Sequence, residues 1–406
     1  MHDDGPVRDQ VSSGIETVPA ESWDALAAEA DIDLGRTYLR FREHLEPGDP
    51  VLLLHNDDGP AAALHGSLVT DRTGLFSHPW KLLTSGQVLR ATNDELARRE
   101  AERDTLIDAL TDETGPAWQR LSRAVGATYV VRGYDSSELI ARPGVDVARA
   151  ADRLLALAQR QARTDGWGAV VLPFVREDDE PLREGLARAG FRSATITGVS
   201  DIPVSGASTV DEFVRALPSR RRYRYRKDFQ ALDATDHRRG ELSLERDMDV
   251  IVEMEAGTMS GHGGSVDPAQ LRAARRFLVE NAPDLVRVPA VSDASGPFAC
   301  GVHLVGRRSY LVLTFGADYR VRTEDSGGAY HWVTCHAPVE HCCATGLERV
   351  RLGFESFEAK AQRGAVVVPR QTWFWLPDSE LFDRVAAIHD LVSGHTTEYL
   401  GGVAHH

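Results

Sequence analysis

The sequence predicts an α/β protein of two tandem domains, each with a mixed sheet flanked by helices. Three observations carry this. The chain has 406 residues, more than one ordinary core covers. Short β-type apolar runs alternate along it with longer helical stretches. In both halves a helix ends at a glycine (Gly166, Gly346), and a strand closes on a phenylalanine at the same separation (Phe174, Phe354).

In chain order, residues 1–14 are acidic and polar and read as a tail. Val51–His55 and Ala61–Val69 are expected as neighbouring strands around the turn Asn56-Asp57-Asp58-Gly59-Pro60. One long helix is expected from Asp94 to Val125, with Thr92 and Glu95 at capping-box spacing and Gly126 as its stop. Ala127–Arg132 reads as a strand, Val145–Arg163 as a helix broken at Asp165-Gly166, and Ala169–Phe174 as an apolar strand. A helix near Asp179–Ala189 and a strand after Gly190 close the first half. In the second half, Ala299–Val305 and Tyr310–Phe315 pair around Gly306-Arg307-Arg308-Ser309. A helix from about Gly328 to Thr345 then leads through Gly346 into Val350–Phe354. Pro203–Ser208 marks the boundary. The expected division is a tail (1–14), a first domain (15–205), a second and active domain (206–380), and a C-terminal helix and tail (381–406).

Composition narrows the function classes. Hydrophobic residues at 42% and charged residues at 26% are those of a soluble globular protein, and no apolar run approaches a membrane span. The N-terminus lacks an apolar signal region, and four cysteines make no disulfide framework at this length, so a reducing cytoplasm is expected. A formal charge of −15 argues against a general nucleic-acid coat while leaving room for a local basic face.

Only three lysines, Lys81, Lys227 and Lys360, stand among 46 Lys and Arg residues. Lysine kept against that bias points to a need for a compact ammonium, most of all at Lys360 in a charged segment after an expected strand. The densest basic feature is Arg220-Arg221-Arg222-Tyr223-Arg224-Tyr225-Arg226-Lys227 in a helical context. Six cations in eight residues point to an anionic ligand, with tyrosines available for stacking. Cys335, His336, His341, Cys342 and Cys343 invite a metal reading, but paired C-x2-C spacing is missing, so neither metal nor cofactor is expected. Gly261-His262-Gly263-Gly264 reads as a connecting or substrate loop with His262 at its tip.

Leu217-Pro218-Ser219-Arg220-Arg221-Arg222, Pro338-Val339-Glu340, and Phe354-Glu355-Ser356-Phe357-Glu358-Ala359-Lys360-Ala361-Gln362-Arg363-Gly364 occur in an order that resembles the FemAB-like branch of the GNAT acyltransferase superfamily. Lys360, Arg363 and Gly364 match a family segment resembling G-A-Q-G-E-H-K-L-A-R-G, while Phe354-Glu355-Ser356-Phe357 replaces its G-A-Q-G. The resemblance implies two tandem GNAT-like domains and amide formation from an activated acyl donor. It implies aminoacyl-tRNA as donor and a small-molecule or cell-wall-precursor amine as acceptor. The alternatives are an acyl-CoA N-acyltransferase and a recognition module without chemistry. Neither Arg322–Ala329 nor Arg142–Asp146 has the Q/R-x-x-G-x-G/A spacing with which CoA-using members hold pyrophosphate, which disfavours CoA.

Aminolysis of an ester needs a proton acceptor, oxyanion donors and cations for the donor's phosphates. Glu355, Glu358 and His331 are the candidate bases, and Lys360 the candidate oxyanion or phosphate partner. Arg220, Arg221, Arg222, Arg224, Lys227 and Arg363 are the candidate donor-binding cations. Tyr330, His262 and Lys81 are the candidate substrate contacts.

Overall fold

The computed structural model describes residues 9–45, 48–57, 59–70, 78–84, 94–111, 114–234, 236–261, 267–320, 326–354 and 356–404. The chain forms two units, Met1–Gly198 with Pro369–Gly402, and Val199–Val368 with Val403–His406. The helix Ser379–Ala404 thus belongs almost wholly to the first unit.

In the first unit the strands run in the order Gln10–Ser12, Asp49–Asn56, Pro60–Val69, Thr128–Val131, Ala169–Val175, then residues 369–375 and 192–198. Asp49–Asn56 and Pro60–Val69 form the expected antiparallel hairpin. Thr128–Val131 and Ala169–Val175 are parallel, joined by the crossover helix Val147–Asp165. That helix starts where the Asp146 carboxylate accepts from Arg149 N and stops where Gly166 takes the left-handed conformation, φ 72°. Every residue of Ala169–Val175 is buried because both faces are covered. Val170 and Leu172 pack in one core with Leu154, Leu155 and Ala158, while Val171 packs in the other with Trp80, Leu121 and Ile388.

The single helix expected over 94–125 is instead two, Asp94–Asp108 and Ala117–Val125. Gly115, at φ 126°, and Pro116, which lacks an N–H, interrupt the ladder, and Pro116 stands at the cap of the second helix. Thr92 and the side chain of Glu95, the proposed capping box, lie outside the described residues.

The second unit repeats the arrangement. Ser309–Val312 and Arg349–Arg351 are parallel, connected through a helical stretch from Ser326 to Thr345 that ends at left-handed Gly346, φ 75°. Residues 201–203 pair antiparallel with Arg349–Arg351 on one side, and His303–Val305 with Ser309–Val312 on the other. A smaller sheet, Gly316–Ala317, Gly296–Cys300, Pro289–Asp293 and Arg238–Glu241, carries the helices Met248–Gly261 and Pro268–Asn281. Between these helices Arg275 closes a bidentate pair on Glu255 at 3.0 and 2.7 Å, both side chains fully buried, and the Thr314 hydroxyl donates to the same carboxylate. The fold is therefore α/β, with two units whose mixed sheets are flanked by helices.

Candidate active site

The site grows from the helix Ser219–Asp233 of the second unit. Tyr225, Asp228 and Leu232 are buried and recur every three or four residues, so they form one inward stripe. Arg220, Arg224 and Lys227 recur at the same spacing on the outward side and are exposed, with Tyr223 beside them 68% exposed. Arg221 and Arg222 lie between, half-buried, and Arg222 donates to the Arg215 carbonyl at 3.3 Å. The six cations do not act as one cluster.

Asp228, the first acid after those cations, was not among the expected site residues, though its place on the apolar stripe was readable. It accepts both arms of Arg363, Nε to Oδ2 at 2.8 Å and Nη2 to Oδ1 at 3.1 Å. Burial works against its charge, but contacts from His336 and Arg363 outweigh that and hold its pKa at about 2. His336 Nε2 stands 3.6 Å away, long for a hydrogen bond, so the guanidinium is the firmer hold. Arg363, expected on the donor's phosphates, is turned inward and also donates to the Ala359 carbonyl at 3.1 Å.

His336 stands against this carboxylate and His331 lies within its field, and the helix between the two histidines is not regular. On an α-helix, His331 and His336 would point about 140° apart. The turn Trp332–His336 is π-helical, with Ala337 N donating to Trp332 O, and i and i+5 come into line. His336 is clasped edge-on by Tyr225 and Phe229, ring centroids 4.0 and 4.5 Å away, and burial lowers its pKa. His331 is driven down to about 3, chiefly by burial and then by the positive charge of Arg363. It is therefore neutral at physiological pH, and its Nδ1 is buried without a hydrogen-bond partner among the described residues. Tyr330, next in chain, packs edge-to-face on Phe315, and burial raises its phenol to about 12.

The remaining candidates separate. Lys360 is buried, and its ammonium donates to the main-chain carbonyls of Leu352 at 2.8 Å and Phe354 at 2.6 Å. It pins the loop after Arg349–Arg351, where Ser356 holds a left-handed φ of 50°, a conformation costly for a residue with a Cβ. Lys360→Met would leave two buried acceptors unpaired, so we expect a loss of about 3 kcal/mol in chemical denaturation. Unchanged stability would free the ammonium for a direct chemical role. Glu358 is exposed on the helix Phe357–Ala361. Glu355 and His262 lie outside the described residues. Lys81 belongs to the first unit, with Nζ 5.9 Å from the Trp118 ring centroid. All four cysteines are buried thiols, and among the described residues no group of His, Cys, Asp and Glu is placed to hold a metal ion. No described helix is long and apolar enough to cross a membrane.

No protein-family model matches the chain, and no curated protein matches it in sequence. Solved structures do. FemX superposes with a TM-score of 0.58 over 92% of this chain and 99% of its own, at 8% identity. L-PGS from Bacillus licheniformis superposes with a TM-score of 0.50 over 92% of this chain and 97% of its own, also at 8% identity. At this identity the likeness is one of fold alone, the fold shared with FemX and L-PGS.

Proposed function

We propose that the protein is an acyltransferase that makes an amide from an activated acyl ester and an amine, with aminoacyl-tRNA as donor and a small-molecule or cell-wall-precursor amine as acceptor. The observation that carries this is a neutral, half-buried histidine, His331, within the field of the Asp228–Arg363 pair and of the exposed Arg224. The amine nitrogen attacks the ester carbonyl, a C–N bond forms and the ester C–O bond breaks. The nitrogen's proton passes to His331 and then to the departing 3′ oxygen, so the imidazole ends as it began. Lys360, Ser356 and Tyr330 hold the wall of the site, and Glu355 and Glu358 remain candidate partners for the amine.

A CoA donor is less well served. Arg322–Ala329, which leads into the helical stretch of the second unit, lacks the Q/R-x-x-G-x-G/A spacing and carries two carboxylates, Glu324 and Asp325. The test offers the purified protein bulk aminoacylated tRNA or acetyl-CoA together with a pool of amines. Consumption of one charged species, dependent on an amine, is the expected result. Thiol release from acetyl-CoA with every aminoacyl ester intact would overturn the donor assignment.

A further inference from the structure

The cations that Asp228 does not engage form a feature of their own. Arg220, Arg224 and Lys227 stand at i, i+4 and i+7 on the outward face of Ser219–Asp233, with Arg226 and Tyr223 alongside. In a chain with 61 acidic residues, exposed arginines elsewhere have found carboxylates: Arg188 pairs with Asp152, Arg272 with Asp249, and Arg308 with Glu348. Arg220, Arg224, Arg226 and Lys227 pair with no carboxylate among the described residues. Leaving several cations uncompensated on one helix face costs self-repulsion, which a bound polyanion relieves.

The stripe also has a direction. From Arg220 to Lys227 it rises about 10 Å, roughly the run of three phosphates on one strand. On its inner flank Arg224 Nε donates to Gln362 Oε1 at 3.2 Å, and the same oxygen accepts from Arg363 Nη1 at 3.4 Å. Gln362 thereby joins the outward stripe to the pair beside His331, and the charge of Arg224 is felt at that imidazole. Tyr223 offers an open ring face to an unpaired base. A membrane surface would favour an apolar flank under the cations, and Tyr223 is the one large apolar side chain exposed on this helix among the described residues.

We infer that the outward face of Ser219–Asp233 is a docking track for the RNA backbone of the donor, which leads its 3′-terminal acyl ester to His331. This rests on the acyl-transfer reading above. The probe is bulk uncharged tRNA, titrated against wild type, the triple variant Arg220→Ala/Arg224→Ala/Lys227→Ala and Tyr223→Ala between 50 and 200 mM salt. Each phosphate contact contributes about 0.7–0.9 to the slope of log K against log salt, so the triple variant is expected to lose about 2 to 3 of that slope. Tyr223→Ala is expected to bind about tenfold more weakly with its slope unchanged. These side chains are exposed, and circular dichroism checks that the variants fold. If wild type binds tRNA and the triple variant keeps the full slope, the track is wrong while the tRNA-donor reading survives. If wild type ignores tRNA but binds vesicles of phosphatidylglycerol, the partner is a membrane surface, and the track and the tRNA donor both fall. If it binds neither, both fall as well.

Discussion

Replacing His331 with glutamine lowers the rate of acyl transfer by about 10²–10⁴, the range set by loss of a positioned proton acceptor, while leaving stability nearly unchanged. The amide of glutamine preserves size and polarity, but it cannot hold the proton that the attacking amine must release. The resting imidazole, at about 3, is a weak base, chiefly because it is buried and secondarily because Arg363 stands beside it. An anionic donor offsets the neighbouring positive charge and so raises the imidazole from that value, while the burial that chiefly lowers it remains. Two measurements check this. Single-turnover transfer should fall in His331→Gln at unchanged donor affinity, and the His331 resonance in nuclear magnetic resonance titrations should move to higher pKa when tRNA is added. Full activity in His331→Gln would remove the imidazole from the chemistry and return Glu355 or Glu358 to that role.

Much of the fold was legible because its signals are local. Gly166 and Gly346 end their helices in left-handed conformations, as the repeat required, and the hairpin around Asn56–Pro60 follows from turn chemistry. The error at Gly115-Pro116 was also local, since helical periodicity resumes beyond the break and hides it. The site was legible only in part. His331, Tyr330, Lys360 and Arg363 were named from sequence, but their partners depend on contacts between residues more than a hundred positions apart, such as Asp228 with Arg363. The π-helical turn is the clearest case. A helical wheel at 100° per residue separates His331 from His336, and no sequence pattern marks the π-helical widening between them, within which His336 packs against Tyr225 and Phe229. Lys360 shows the converse. Its rarity pointed to a chemical need for an ammonium, while the structure places that ammonium on two main-chain carbonyls.

Arg363→Met should destabilise the second unit by about 3–5 kcal/mol, the usual consequence of leaving one member of a buried ion pair behind. Asp228 would keep its burial and lose the two-armed partner that now outweighs it, so its carboxyl would rise from about 2. The sign of the pH dependence follows. Asp228 is depressed from 3.8, so the stability it contributes is present above about 3.8 and disappears as pH falls toward 2. His331 is depressed from 6.5 to about 3, so folding favours its neutral form, and stability declines as pH falls through that window. Wild type should therefore weaken in two acid steps, the upper shared by His331 with the other depressed imidazoles of the second unit, His303, His336 and His341, and the lower from Asp228, and Arg363→Met should lose the lower one. Because the chain has two units, unfolding is best followed by a probe within the second, such as the emission of Trp332. The double variant Asp228→Leu/Arg363→Met removes both charges, so it should recover most of the lost stability. If Arg363→Met instead keeps wild-type stability and loses donor affinity, the guanidinium serves the donor's phosphates and its closure on Asp228 is a resting state. If stability falls and the double variant restores it, Arg363 is a positioning residue that fixes Asp228 beside the two histidines.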